Sequence, residues 1–195
     1  WNDVRLPFLA ALKRRGYQPG AFMKYAKEVG VSSTDKKVTK KDFFKTLDAF
    51  NRDIIDPTAR RYFFIENPVL IKIPELTPRE VELEKHPNQP LFGIRRFNVT
   101  EDFLIEKKDL ERAGNGIHRL MDCLNFKKDG DHITFDSFKY EVYKENGKHI
   151  MHWLVAGDTI PVRILMPDGE VKEGLGESGL AGMKQGEIIQ FERFG

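Results

Sequence analysis

Gln190, Glu192 and Arg193 stand in the run Ile188-Ile189-Gln190-Phe191-Glu192-Arg193-Phe194, close to the last residue of a 195-residue chain. An amide, a carboxylate and a guanidinium among apolar residues can do hydrogen-bond chemistry on the edge of a planar ring. The Gln190 amide donates and accepts at once, which suits a uracil-like edge that offers a carbonyl oxygen and an imino proton. At the period of two expected of a strand, Ile189, Phe191 and Arg193 share one face, and Ile188, Gln190, Glu192 and Phe194 share the other. The same run also reads as an edge strand with solvated polar residues, and taken alone that is the commoner case.

Other constellations point to catalysis only on first sight. Gly174-Leu175-Gly176-Glu177-Ser178-Gly179 matches the dinucleotide-binding pattern letter for letter, but that loop works by aiming a helix N-terminus at a pyrophosphate. Here Lys184, Gln185 and Gly186 lead into the final strand. Asp129, Asp131 and Asp136 lack the ligand spacing and closing Glu of a calcium loop. His86, His118, His132, His149 and His152 form no His-Glu-x-x-His pattern, and His149 with His152 would need a third ligand from elsewhere, so no metal is expected. Cys123 is the only cysteine, which excludes an internal disulfide or a multi-cysteine zinc site; a buried structural thiol is the expectation. No paired carboxylates stand out, and no catalytic centre is visible.

Composition fits an intracellular globular protein, 40% hydrophobic and 32% charged. No run approaches the roughly 18 apolar residues of a membrane span. The chain opens at Trp1 without signal peptide or targeting segment and reads as a piece of a longer protein. Its net charge of +2 is unevenly spread: residues 1 to 61 carry 14 Lys or Arg against 7 Asp or Glu, and the remainder 18 against 23. The first part is therefore +7 and the rest −5, which sum to +2. A basic first third can serve a polyanion partner or simply be solvated helix faces.

The elements that must position these residues change character near Pro57. Before it the pattern is helical: Pro7 to Arg15, ended by Gly16; Ala21 to Val29, with Phe22, Tyr25, Ala26 and Val29 on one face and Gly30 as the stop; and a third helix that Thr39 and Asp42 open as a capping box. In that third helix Phe43, Phe44, Leu47, Phe50 and Ile54 make an apolar stripe, read as bundle core. After Pro57 short strands are expected at Val69 to Ile73, Ile94 to Val99, Phe103 to Glu106, Ile117 to Met121, Ile133 to Tyr143, Ile150 to Val155 and Ile160 to Leu165. Asn115-Gly116, Asp129-Gly130, Asn146-Gly147 and Asp168-Gly169 are hairpin dipeptides, because Gly tolerates positive φ. An all-β region of antiparallel neighbours follows, folded as one large barrel or two small ones.

Read together, the residues carry a resemblance. Trp1-Asn2-Asp3-Val4-Arg5-Leu6-Pro7 and Leu12-Lys13-Arg14-Arg15-Gly16-Tyr17 are similar to the stretch after the KMSKS-type loop of class I glutamyl- and glutaminyl-tRNA synthetases. Asn2 and Val4 depart from the usual Trp-Asp-Asp-Pro-Arg. Further matches come in order: Asn51-Arg52, Ile55-Asp56-Pro57, Arg61-Tyr62-Phe63-Phe64, His86-Pro87-Asn88, Phe103-Leu104-Ile105-Glu106, Arg119-Leu120-Met121, His152-Trp153 and Gln190-Phe191-Glu192-Arg193.

The resemblance implies an α+β chain, mainly β. A short helical connector over 1–60 would contact the tRNA stem, a proximal anticodon-binding β-barrel would use 61–100 and 150–195, and a distal antiparallel β-barrel, 101–149, would be inserted in it. The catalytic domain, with its ATP and Mg²⁺, would lie before Trp1, so this piece would hold no cofactor and be inactive alone. The family runs a few residues past Phe194-Gly195, so the chain is expected to stop short of its parent's end. The compact turn through Pro167-Asp168-Gly169, where glutaminyl members carry an insertion, resembles the archaeal-type glutamyl enzymes. The partner implied is tRNA(Glu) in the cytoplasm; tRNA(Gln), or a non-catalytic RNA-binding or interaction role, is the alternative.

The resemblance also implies roles for single residues. Arg61 and Gln190 match positions that jointly contact the central anticodon base, a uracil in both anticodons. Arg119 matches a reader of the first base, where a forked donor suits a pyrimidine carbonyl, and its other reading is a surface strand charge. Met121 stands where glutaminyl members present another Arg. Asn88 and Arg193 match positions near the anticodon loop, with structural hydrogen bonding as the alternative. Glu111 is a candidate acceptor for a cytosine amino group at the third base. Lys13, Arg14 and Arg15 are candidates for phosphate-backbone contacts.

Overall fold

Pro19 and Gly30 bracket a helix for opposite reasons. Pro19 stands at the first helical position, where its fixed φ fits and no N–H is needed, and Gly30 ends the helix at φ +69° with its N–H on Ala26 O, 3.1 Å away. This helix is α2 (Pro19–Val29), one of three in the first part of a computed structural model that describes residues 1–30 and 37–194. Gly195, expected to be a premature end, lies outside the described residues. Helix α1 (Leu9–Arg14) is shorter than Pro7 to Arg15, because Phe8 remains extended at its cap with no side chain to satisfy the first N–H groups. Helix α3 (Lys40–Ile55) has the expected cap: Thr39 Oγ1 accepts the Asp42 N–H at 3.1 Å.

The chain divides into two compact units. The smaller comprises Trp1–Arg60 with residues 165–171 and 188–190. Leu12, Tyr17, Ala21 and Leu47 form its buried centre, and Phe22, Tyr25, Phe43, Phe44, Phe50 and Ile54 pack around it. The apolar stripe of α3 is thus bundle core. Leu47 is fully buried, so truncation to Ala would cost about 2–5 kcal/mol. Buried Asn51 ties α3 to the turn before α2: its Oδ1 accepts the Gln18 N–H at 2.8 Å and its Nδ2 donates to Gly16 O at 3.4 Å.

The larger unit comprises Arg61–Ile164, Lys172–Glu187 and Phe191–Gly195, described through Phe194. Its strands begin with β1 (Arg60–Tyr62), β2 (Phe64–Glu66), β3 (Pro68–Lys72), β4 (Arg79–Glu84), β5 (Ile94–Val99) and β6 (Asp102–Glu106). Helix α4 (Lys107–Arg112) follows, then β7 (Gly116–Leu120), β8 (Leu124–Asp129), β9 (His132–Ser137), helix α5 (Tyr140–Asn146) and β10 (Gly147–Met151). The last strands of the chain are β11 (Leu154–Val155), β12 (Thr159–Leu165), β13 (Val171–Glu177) and β14 (Ile189–Phe191), the first two residues of β14 belonging to the smaller unit. Strand orders are β10-β7-β8-β9, β11-β6-β3, β12-β13-β2 and β4-β5. The core centres on fully buried Trp153, edge-on to Phe63, Phe97 and Phe103 at ring distances of 5.9, 5.0 and 5.6 Å. Its indole N–H donates to Met121 O at 2.8 Å.

The chain is mostly β with helices, but among the described residues no sheet closes on itself into a barrel. Left-handed Asn67, Glu75 and Asp122, at φ 50°, 66° and 53°, turn the chain sharply after β2, β3 and β7 and keep strands short. The all-antiparallel expectation also fails, since β10 pairs with β7 in parallel. Such a pair needs a crossover, and β8, β9 and α5 supply it. The run Ile133 to Tyr143 is therefore not one strand. Asn125 Nδ2 donates to Ser137 Oγ at 2.9 Å and to Lys139 O at 2.7 Å, which takes this backbone out of the ladder just before α5 begins.

Other expected boundaries shift for identifiable reasons. Ile150 to Val155 splits into β10 and β11 because buried His152 and Trp153 intervene, and the two pieces join different sheets. The final strand stops at Phe191: Arg193 is left-handed at φ 55°, and Phe191 and Phe194, expected on opposite faces, both pack on Phe64 at 5.4 and 5.0 Å. Asp129-Gly130 makes the β8–β9 hairpin, with Gly130 at φ 59°, and Asp168-Gly169 lies in the turn from β12 to β13, where Met166 N–H meets Glu170 O at 2.8 Å. Asn115-Gly116 instead opens β7, and Asn146-Gly147 joins α5 to β10. Helix α4 was not foreseen in the β region.

Candidate functional site

Strand β5 alternates Arg95, Phe97 and Val99 inward and Ile94, Arg96 and Asn98 outward, so a guanidinium is carried into the interior of the larger unit. Its two terminal nitrogens are engaged there, while Nε is buried without a hydrogen-bond partner among the described residues. Arg95 Nη1 meets Glu177 Oε1 at 2.6 Å, Nη2 meets Glu192 Oε1 at 2.9 Å, and the group lies 4.7 Å over the Phe63 ring. Glu177 Oε1 also accepts the Phe63 N–H at 2.5 Å. Burial pushes the Glu177 carboxyl above its ordinary range, and the charge of Arg95 opposes that rise. The hub draws Glu192 inward and so sets the path of the chain directly after Gln190.

Beside this hub a recess of about 340 Å³ is lined by Arg61, Glu84, Pro87, Arg95, Met121 and Glu192. Arg61, on β1, is half-buried, and its backbone N–H donates to Lys85 O at 2.7 Å. With the Arg61 guanidinium and the exposed Glu84 on its lining, this space can hold a planar polar ring by its carbonyl and amino edges. Gln190 belongs to the smaller unit, is exposed, and lines a recess of about 230 Å³ with Asn51, Arg52, Asp56 and Ala59. Arg61 and Gln190 therefore each line a recess within their own unit.

Arg119 is not the surface charge that one reading allowed. It is 6% exposed, its Nη1 donates to Asn125 Oδ1 at 2.8 Å and, more weakly, to Phe138 O at 3.4 Å, and its guanidinium stands 5.4 Å from the Tyr140 ring centre. Asn88 is exposed, and its backbone N–H donates to His86 Nδ1 at 3.1 Å. Exposed Arg193 donates from Nη1 to Ile150 O at 2.9 Å. Lys13 and Arg14 are exposed at the end of α1, with Arg14 Nη1 3.3 Å from Asn2 O. Arg15 is different: it is half-buried, stacks 4.7 Å over Phe44 and donates to Tyr17 Oη at 3.2 Å.

The rejected motifs have structural explanations. A Cβ on Gly174 would lie 2.2 Å from Ile65 O, and one on Gly176 would lie 2.8 Å from Val162 Cγ2. These glycines are small because β13 packs closely, and they leave no cradle for a phosphate. Burial pushes the Cys123 thiol up to about 12, so it is no nucleophile at neutral pH. Among the described residues no three His, Cys, Asp or Glu gather in a metal-ligating group, and no helix is long and apolar enough to cross a membrane. Glu111 is exposed, 3.8 Å from Lys107 one turn earlier, and lines a separate recess of about 640 Å³ with Leu70, Leu110 and His132. Arg95 and Glu177 are the hub residues that the sequence reading misses, although the alternation of β5 places Arg95 with Phe97 and Val99.

Comparison with known proteins completes the description. Two family descriptions match in succession, both "tRNA synthetases class I (E and Q), anti-codon binding domain", over residues 59–143 and 150–195. The chain is similar to the glutamate–tRNA ligase of Methanocaldococcus jannaschii, 36% identical over 199 residues that cover all of this chain and 35% of the relative. It is 35% identical over 197 residues to that of Methanobrevibacter smithii, and 37% identical over 205 residues to that of Pyrococcus furiosus, again over the whole of this chain and 34% and 35% of the relatives. The chain thus spans about a third of the length of the curated relatives it matches.

Proposed function

Because the chain belongs to the anticodon-binding domain family of class I tRNA synthetases for E and Q, we propose that it is the part of a glutamate–tRNA ligase that reads the anticodon of tRNA(Glu). The single observation that carries this is the recess that Arg61 lines together with Glu84, Arg95 and Glu192. Anticodon bases must leave their stack before their edges can be read, and this space offers donors and acceptors to one such base. Arg61 donates to a base carbonyl there, and the exposed Gln190 amide offers a donor and an acceptor to a base edge. Arg119 acts with the donors that its Asn125 bond leaves, while Asn88 and Arg193 lie exposed for loop contacts. Lys13 and Arg14 serve phosphates.

Residues 1–60 act as a stem-contact connector, 61–100 with 150–195 as a proximal anticodon-binding β region, and 101–149 as a distal β region inserted into it. Support for the insertion is the pairing of β6 with β11, Leu104 with Leu154 and Phe103 with Val155, which brings together the chain on either side of β7 to β10. Glutamate is favoured over glutamine by the relatives' names and by the short turn at Met166–Glu170. Ligation of glutamate, and the ATP and Mg²⁺ it uses, belong to the remaining two thirds of such a ligase. This chain's glycine run does not fit ATP, and the cell compartment of the role is the cytoplasm.

The test is binding of the chain to tRNA(Glu) transcripts, to tRNA(Gln), and to a tRNA(Glu) in which all three anticodon bases are changed. The reading expects binding that falls when the triplet is changed. Equal affinity for all three RNAs would leave only the general RNA-binding alternative.

A further inference from the structure

Phe138 and Tyr140 lie two residues apart where β9 gives way to α5, with 39% and 49% of their surfaces exposed. Each ring has a guanidinium on it: Arg79 is 4.2 Å from the Phe138 ring centre, and Arg119 is 5.4 Å from that of Tyr140. Phe135 packs behind Phe138 at 4.8 Å, and Tyr143 lies 6.0 Å from Tyr140. Both guanidiniums act electrostatically on the Cys123 thiol, so the two pairs share one neighbourhood.

The segment is held rather than loose. Buried Asn125 donates to Ser137 Oγ and Lys139 O, and Arg119 Nη1 reaches Phe138 O. Such backing fixes the direction of two exposed rings without using their outer faces. Arg119 is buried, so it backs Tyr140 from within, and about half of the Tyr140 surface, 49%, remains exposed. Arg79 is exposed, and among the described residues it has no ion pair with a carboxylate, so its plane over Phe138 can receive another ring.

We infer that this face is a stacking platform for unpaired nucleobases, with one base on Tyr140 and another on the Arg79–Phe138 pair. A nucleobase has a π-face whatever its identity, so aromatic and guanidinium planes bind bases with little sequence preference. The site therefore adds holding power, not discrimination, and differs in kind from the edge contacts assigned to Arg61 and Gln190. It rests on the reading that this chain binds an unpaired anticodon loop.

The experiment uses an RNA hairpin carrying the anticodon loop, with 2-aminopurine at one loop position at a time. Fluorescence quenching then reports stacking, and titration reports affinity for the chain and for Phe138→Leu, Tyr140→Leu and Tyr140→Phe. The expected result is that each Leu variant binds roughly 5- to 150-fold more weakly, the range for loss of one stacked base, and loses quenching at one position. Tyr140→Phe keeps both, and quenching retained by each Leu variant at the other loop positions excludes a general loss of folding. Leu variants that bind and quench like the parent, while Arg61→Ala still loses anticodon-dependent affinity, overturn the platform and leave the anticodon reading standing. If the parent shows no anticodon preference, that reading fails, and oligouridine decides the platform separately: weaker binding by the Leu variants sustains it, and unchanged binding overturns it.

Discussion

Arg95 and Glu192 form a 2.9 Å ion pair whose side chains are 5% and 12% exposed, and it fastens the last described residues to β5. The same guanidinium holds Glu177 at 2.6 Å. Removing one partner of a buried pair leaves a charge without compensation, at a cost of about 3–5 kcal/mol. Arg95→Ala is therefore expected to lower unfolding free energy by about that amount in urea titration, with Glu192→Gln costing less because its side chain is nearer solvent. A loss under 1 kcal/mol for Arg95→Ala would show that the hub contributes little.

His152 is the acid-sensitive point of the larger unit. Its ring stacks at 4.9 Å on Phe63, and burial, with the charges of Arg193 and Arg95 facing it, pulls it down to about 4. Between about 6.5 and 4 the unfolded chain binds a proton at this position that the folded chain does not. Stability therefore falls as pH drops through that window, by up to about 3 kcal/mol. Glu177, held above its ordinary value, contributes in the opposite sense, favouring the folded state as it protonates. Comparison with His152→Gln isolates the histidine: the variant should lose less stability between pH 6.5 and 4.5 than the parent, and equal slopes would refute the assignment.

The three basic residues at the end of α1 separate into two roles. Lys13→Ala and Arg14→Ala should each reduce the salt dependence of tRNA binding by about one unit of slope, the signature of one lost phosphate contact. Arg15→Ala should instead destabilise the helical unit by about 0.5–1 kcal/mol through loss of its stacking over Phe44, with little change in slope. A full unit of slope lost in Arg15→Ala would return it to the phosphate contacts.

Cys123 provides a simple probe of the core. With its thiol pushed up to about 12 by burial, it should react with a thiol reagent at pH 8 only slowly in the folded chain and rapidly in urea. Fast reaction of the folded chain would mean that the end of β7 opens readily.

What could be read from residues alone was local. Thr39 and Asp42, the stop at Gly30, and the stripe from Phe43 to Ile54 act within one turn or along one helix face, so their spacing carries the outcome. The hairpin at Asp129-Gly130 is legible for the same reason. The end of β9 was not legible, because it is Asn125, twelve residues earlier, that binds the Ser137 hydroxyl and intercepts the backbone at Lys139 O. The parallel pairing of β7 and β10 likewise depends on a crossover that no dipeptide announces.

The site divides along the same line. Residue type and the ordered family motifs pointed to Arg61, Gln190 and Arg119, but spacing could not show that Arg119 is buried against Asn125. The alternation of β5 did contain the signal for Arg95. It was readable as an inward-facing guanidinium, which required a buried carboxylate, yet Glu177 and Glu192 lie more than eighty residues away in the chain.

The central claim is that this chain reads anticodon bases by their edges, and the most direct measurement is binding to tRNA(Glu) transcripts that differ only in the central anticodon base, for the parent chain, Arg61→Ala and Gln190→Ala. The account predicts that the parent prefers the native base, and that each substitution costs about 1–3 kcal/mol with that base and much less with the others. Losses of equal size with every central base would contradict it and make Arg61 and Gln190 backbone contacts.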